Sequence, residues 1–116
     1  MNEEISNEAR LRHILQALNN IEEFVTDLSF NEFMNSQLHR SAVTNELQVI
    51  GEAVSRLSES LKSEYPDIEW KGIKNLRNII VHEYFALDYS VIWELIKYNS
   101  SELRHEIESI LKKIKE

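Results

Sequence analysis

Arg77, Asn78, His82 and Tyr84 fall within eight consecutive positions, interleaved with the apolar residues Ile79, Ile80 and Val81. A helix face that only packs has no need of so many strong hydrogen-bonding groups so close together. Phosphate chemistry does need them. Arginine offers a planar fork of donors that matches phosphate oxygens. Histidine gives and takes protons near neutrality. On an α-helix Asn78 and His82 stand at i and i+4 and share a face, toward which the long stem of Arg77 can lean. If the helix continues, Tyr84 returns to the arginine's side seven residues on. The plainer alternative is a helix end where His82 and Tyr84 cap or pack, and Arg77 pairs with Glu83 or Asp88.

Other residues are candidates for support. Glu52 follows Gly51 in a mostly apolar stretch; a buried carboxylate needs a partner, for which Arg77 or His82 is suited, and surface exposure is the alternative. Lys71 and Lys74 precede the tetrad, and Arg40, beside His39, can add to a basic cleft or belong to a solvated face. His13 and His105 have no partner in sequence and read as surface or interface residues. Trp70 and Trp93 read as core or dimer anchors rather than base-stacking platforms. Lys112, Lys113 and Lys115 suit the negative end of a helix dipole.

The elements that must position these groups are helical. The chain has 116 residues, 42% of them hydrophobic, enough for one domain around one core. Gly 2 and Pro 1 are low counts for a protein of strands and tight turns. Cys 0 removes disulfides, thiolate catalysis and cysteine zinc sites, and no other ligand cluster stands out, so no metal is expected. The polar N-terminus carries no apolar leader, no run approaches the roughly 18 residues of a membrane span, and a cytoplasmic location is expected. A net charge of -7 argues against broad nucleic-acid binding. Yet residues 71 to 82 carry Lys71, Lys74, Arg77 and His82 without an acid. A local basic groove on an acidic body results, with acidic surface left for a basic partner.

Apolar periodicity predicts a first helix over about 4–27, on Ile14, Leu15, Leu18, Ile21, Val25 and Leu28. Ser29-Phe30-Asn31-Glu32 is a capping-box arrangement. A long helix is expected over about 36–62, burying Leu38, Ala42, Val43, Leu47, Ile50, Val54, Leu57 and Leu61. Gly51 inside it costs about 1 kcal/mol relative to alanine, which implies close approach of another backbone, within the fold or across a dimer. Tyr65-Pro66-Asp67 ends that helix. A third, over about 69–82, carries the tetrad; residues 83 to 88 turn, with Asp88 as N-cap. A last helix over about 89–114 turns Val91, Ile92, Leu95, Ile96, Leu103, Ile107, Ile110, Leu111 and Ile114 inward. Short connections favour an all-α, up-and-down four-helix bundle.

The order of these pieces resembles the small prokaryotic HEPN proteins of the HepT type over nearly the whole chain. Arg12-x-Ile14-Leu15, Ile50-Gly51-Glu52-Ala53, Pro66-Asp67-Ile68-Glu69-Trp70, Arg77-Asn78 to His82-x-Tyr84-Phe85 and Val91-Ile92-Trp93 carry the resemblance. It departs from the common pattern at Glu83, where aspartate is frequent, and at Asn99-Ser100-Ser101, where a Leu-Pro step is usual. The resemblance implies a four- to five-helix homodimer with its Arg-x4-His motifs facing a cleft at the dimer interface. It implies a metal-independent endoribonuclease toxin whose antitoxin, a minimal nucleotidyltransferase, moves AMP from ATP onto the tyrosine of His-x-Tyr, here Tyr84; the protein itself needs no cofactor.

RNA supplies its own nucleophile, so cleavage needs a base for the 2′-OH, an acid for the leaving 5′-oxygen and a cation for the phosphorus-bound charge. His82 is the expected acid and base, Arg77 the phosphate clamp, Asn78 the group that orients His82 or substrate, and Tyr84 a contact to base or phosphate. Glu52 is expected to act behind Arg77 or His82, with Lys74, Lys71 and Arg40 as RNA contacts. The competing reading is a non-catalytic helical dimer that docks a nucleotidyltransferase and binds nucleotide.

Overall fold

Serine hydroxyls set the start of three of the helices. The computed structural model describes residues 3–115, and among them it holds seven α-helices, one 3-10 turn and no strand. Helix α1 spans Glu3–Val25 and α2 Phe30–Met34. Ser29 starts α2 with a complete capping box: its Oγ accepts from the Glu32 amide at 3.1 Å, and its own amide donates to Glu32 Oε1 at 2.8 Å. The Ser29 amide first, and then the Ser29 side chain, hold the Glu32 carboxyl below its ordinary pKa. Ser36 caps α3 (Gln37–Ser55) and Ser58 caps α4 (Glu59–Glu64). Helix α5 spans Trp70–His82, the 3-10 turn Tyr84–Ala86, α6 Tyr89–Tyr98 and α7 Ser100–Lys115.

Two expected helices are each divided. The helix expected over 36–62 stops at Ser55, and α4 restarts after Ser58. A tertiary contact fixes that break. Asn7 of α1, only 7% exposed, accepts from the Ser58 amide at 3.0 Å and donates to Ser58 Oγ at 2.9 Å. Leu57 and Leu61 stay buried across the step, so the apolar rhythm runs through a break it does not report. The helix expected over 89–114 divides at Asn99, whose amide bonds back to the Leu95 carbonyl at 2.9 Å. The Ser100 hydroxyl takes the Ile96 carbonyl, the local competition with the helix ladder that serine supplies. Leu38 and Val91, expected inward, are 75% and 56% exposed. Both lie in the first turn of their helix, before it reaches its packing partners.

Helix α3 packs between α1 and α5, and α7 lies along the other side of α1. The core follows from the apolar stripes: Leu11, Ile14, Leu18 and Ile21 of α1 meet Val43, Leu47, Ile50 and Val54 of α3, with Ile80 of α5 and Ile107 and Ile110 of α7 sealed against them. Phe33 of α2 is fully buried and touches Trp93 and Tyr89 of α6, with ring centroids 5.1 and 6.3 Å away. Trp70 is a core anchor whose indole N–H donates to the Tyr65 carbonyl at 3.0 Å. No helix among the described residues is long and apolar enough to cross a membrane.

Candidate active site

The crossing of α3 and α5 is tight at one point, and Gly51 makes it so. A Cβ at Gly51 would lie 2.2 Å from Arg77 Cβ and 2.7 Å from its Cγ. Carbon atoms rest ~3.5–4.0 Å apart, so only glycine fits. The close approach foreseen at Gly51 is therefore made within one chain, and the group it admits is the arginine of the tetrad.

From that seat the guanidinium has two companions. Nη2 donates to Glu52 Oε1 in an ion pair, and Nη1 donates to Asn78 Oδ1 at 3.1 Å. Glu52 is thus a partner of Arg77, while Glu83 and Asp88 are not. Asp88 is the N-cap of α6, accepting from the Ser90 and Val91 amides at 3.1 and 3.4 Å. The Ser90 hydroxyl and then the Val91 amide hold its carboxyl below the ordinary range. Asn78 turns its oxygen to Arg77 rather than to His82. The Arg77 and Glu52 side chains keep 31% and 40% of their exposure, so the pair is wet on one side.

His82 is the last residue of α5 and is exposed. The helix ends there, as the Glu83 amide bonds back to the Ile79 carbonyl at 2.8 Å. Tyr84 does not continue along α5 but rides the 3-10 turn, 43% exposed, with its ring edge-on to Phe85 at 5.4 Å. Helical periodicity sets Lys71, Lys74, Asn78 and His82 along one stripe of α5, with Arg77 at its edge; both lysines are exposed. Arg40 is engaged elsewhere: its Nη1 donates to the Met34 carbonyl, and its guanidinium stands 5.4 Å over the Tyr89 ring. His39 closes the α3 cap with Ser36, while His105 is exposed on α7. Lys97 covers Trp93, which belongs to the aromatic cluster.

None of the three cavities described is lined by Arg77, Asn78, His82 or Tyr84. His82 and Tyr84 are exposed and Arg77 and Asn78 partly so. Exposed apolar side chains adjoin them in the chain: Ile79, Val81 and Phe85, with Phe85 wholly in solvent; Val91, in the first turn of α6, is exposed as well. Among the described residues no three His, Asp or Glu side chains are grouped to hold a metal ion.

Residues 14–110 match the family model of HepT-like ribonucleases. A Methanocaldococcus jannaschii protein named "Putative RNase" is 35% identical over 102 residues, covering 88% of this chain and 94% of its own. A second from that organism, named likewise, is 38% identical over 106 residues, covering 91% and 88%. A Thermococcus cleftensis protein named "Probable ribonuclease HepT" is 30% identical over 102 residues, covering 88% and 93%. No solved structure matches the chain.

Proposed function

The chain belongs to the HepT-like ribonuclease family, and from that premise we propose that it is a metal-independent endoribonuclease, the toxin of a toxin–antitoxin pair, acting as a homodimer. One observation carries the reading. A guanidinium held from behind by Glu52 and Asn78 keeps an open side, on the helix that ends in exposed His82. Arg77 grips the scissile phosphate and offsets charge as it grows on the phosphoryl oxygens. His82 takes the 2′-OH proton; the 2′-oxygen attacks phosphorus, the bond to the 5′-oxygen breaks, and that oxygen is protonated by the other copy's His82. The products are a 2′,3′-cyclic phosphate and a 5′-hydroxyl. Lys71 and Lys74 continue the strand's path along α5. The second copy covers Ile79, Val81, Phe85 and Val91 and supplies the facing wall, completing a bundle-on-bundle dimer; a patch this apolar is a surface that binds.

Silencing uses Tyr84. Its phenol oxygen attacks the α-phosphorus of ATP, held by a nucleotidyltransferase antitoxin, and pyrophosphate leaves with the phenol proton passing to a base. The new phosphodiester adds negative charge beside Arg77 and an adenine to the cleft. Growth arrest on induction, abolished by Arg77→Ala and relieved by co-expression of the antitoxin with adenylylated Tyr84 in the mass spectrum, is the expected result. Arrest unaffected by Arg77→Ala removes the ribonuclease reading.

The pairing of Arg77 with Glu52 is the observation that favours the second reading, a non-catalytic dimer that docks a nucleotidyltransferase and binds nucleotide. In that case Arg77 serves the fold, RNA stays intact, and Tyr84 remains unmodified in the complex.

A further inference from the structure

Glu52 has two faces. One carries the ion pair with Arg77; the other closes a cavity of about 260 Å³ between α1 and α3. The two helices run antiparallel, as the Asn7–Ser58 and Asn20–Glu46 contacts show. Asn45, Gln48, Glu52 and Arg56 recur along one stripe of α3 and its C-cap, facing Arg10 and His13, three apart on α1. The charge of this cavity is opposite to that of the chain. Its one carboxylate is already neutralised by Arg77, while Arg10 and Arg56 enter no ion pair among the described residues. Arg10 Nε, like Arg77 Nε and Arg104 Nε, is shielded from water and has no hydrogen-bond partner among the described residues. A shielded donor without an acceptor is costly unless something fills the gap. Beside the two guanidinium groups stand the amides of Asn45 and Gln48, which both give and accept hydrogen bonds, and the half-open apolar side chain of Val49.

Guanidinium groups for phosphate, amides for a base edge and an apolar wall for a base face are the parts of a nucleotide pocket. We propose that the α1–α3 cavity is a substrate subsite that holds the nucleotide neighbouring the scissile phosphate of a single-stranded RNA. The inference rests on the ribonuclease reading of Arg77, since Glu52 is the wall shared by both places. A strand leaving Arg77 crosses Glu52 and sets its next phosphate between Arg10 and Arg56, with its base over Val49 against Asn45 and Gln48. The subsite explains how an acidic protein grips RNA: a few fixed cations along one track, not a broad basic face.

Binding of an uncleavable 2′-O-methyl RNA octamer tests this. Wild type, Arg56→Ala, Arg10→Gln and the double variant are compared by fluorescence anisotropy across a salt series. Arg56 is exposed at a C-cap, so its variant tests the pocket without touching the core. Removing both cations is expected to weaken binding at least about tenfold and to flatten the slope of log affinity against log salt by about 0.7, the value for one phosphate contact on a single strand. Unchanged affinity and slope in the double variant overturn the proposal. AMP binding as tightly as the octamer overturns the strand assignment, because the pocket would then take free nucleotide. Wild type that binds the octamer through Arg10 and Arg56 but never cuts unmodified RNA retains the subsite and loses only the ribonuclease reading.

Discussion

Gly51→Ala adds a single methyl group at the one place where α3 and α5 have no room. That carbon would sit 2.2 Å from Arg77 Cβ, 2.7 Å from its Cγ and 3.4 Å from its Cα. A Cβ position is fixed by the backbone, so no rotamer change relieves the first contact. The helices must separate by about 1.5 Å to restore a carbon–carbon distance of ~3.5–4.0 Å. Alanine in a helix interior gains about 1 kcal/mol over glycine, whereas forcing a methylene into a filled space costs about 1–3 kcal/mol. The net expectation is a loss of about 1 kcal/mol, or ~4–8 °C in Tm for a domain near this size. Activity suffers more, because the separation moves Arg77 off Glu52, and a misplacement of ~1 Å costs about a hundredfold in rate. Gly72 is the internal control. A Cβ there meets Glu69 Cβ at 3.7 Å and Glu69 Oε2 at 3.9 Å, ordinary contacts. Gly72→Ala should therefore raise Tm and leave Arg77 in place. Thermal melts and RNA cleavage of both variants are the assay. Gly51→Ala that melts higher, like Gly72→Ala, and cuts at the wild-type rate would refute the argument.

Three further outcomes follow from the same geometry. Glu52→Gln should cost no more than about 1 kcal/mol, since the pair is partly exposed, yet lower kcat about tenfold as Arg77 loses its anchor; a change confined to KM would place Glu52 in binding alone. Asp88→Ala should lower the melting temperature at pH 7 by uncapping α6; because the folded carboxyl titrates below its ordinary value, that difference shrinks as pH falls through the folded pKa. Glu106 lines the cavity of about 400 Å³ between α5 and α7, and burial, then Glu102 and Asp67, push its carboxyl above the ordinary range. Its folded pKa exceeds the unfolded one, so protonation favours the fold and the benefit fades as pH rises through the folded value. Glu106→Gln should therefore stabilise by ~0.5 kcal/mol at pH 7 and make no difference below about pH 4, as a pH series of melts would reveal.

Local chemistry was legible in the sequence and tertiary contact was not. The Ser29 capping box, the Asp88 N-cap and the end of α5 at His82 are short-range events, written in neighbouring residues. The division of α3 from α4 is invisible locally, because Leu57 and Leu61 keep the apolar rhythm while Asn7, fifty-one residues away, fixes the turn. At Asn99-Ser100-Ser101 the signal was present in the departure from Leu-Pro, but periodicity outweighed it. For the site, the glycine's cost announced a close approach, and only coordinates identified Arg77 as what approaches. Asn78 was placed with His82 by i and i+4 spacing, yet the adjacent guanidinium reaches it first. Arg10 and Arg56 escaped notice because their pocket joins two helices far apart in the chain, each contributing an unremarkable polar stripe.

The ribonuclease reading requires Arg77 and His82 to act together on one RNA phosphate. Cleavage of a defined RNA in EDTA by wild type, Arg77→Ala, His82→Ala and the double variant tests it most directly. Groups that work as a unit are non-additive, so each single variant should fall as far as the double, and wild type should leave 2′,3′-cyclic phosphate ends. Wild-type rates from His82→Ala, or full strand integrity with the wild-type protein, would contradict it.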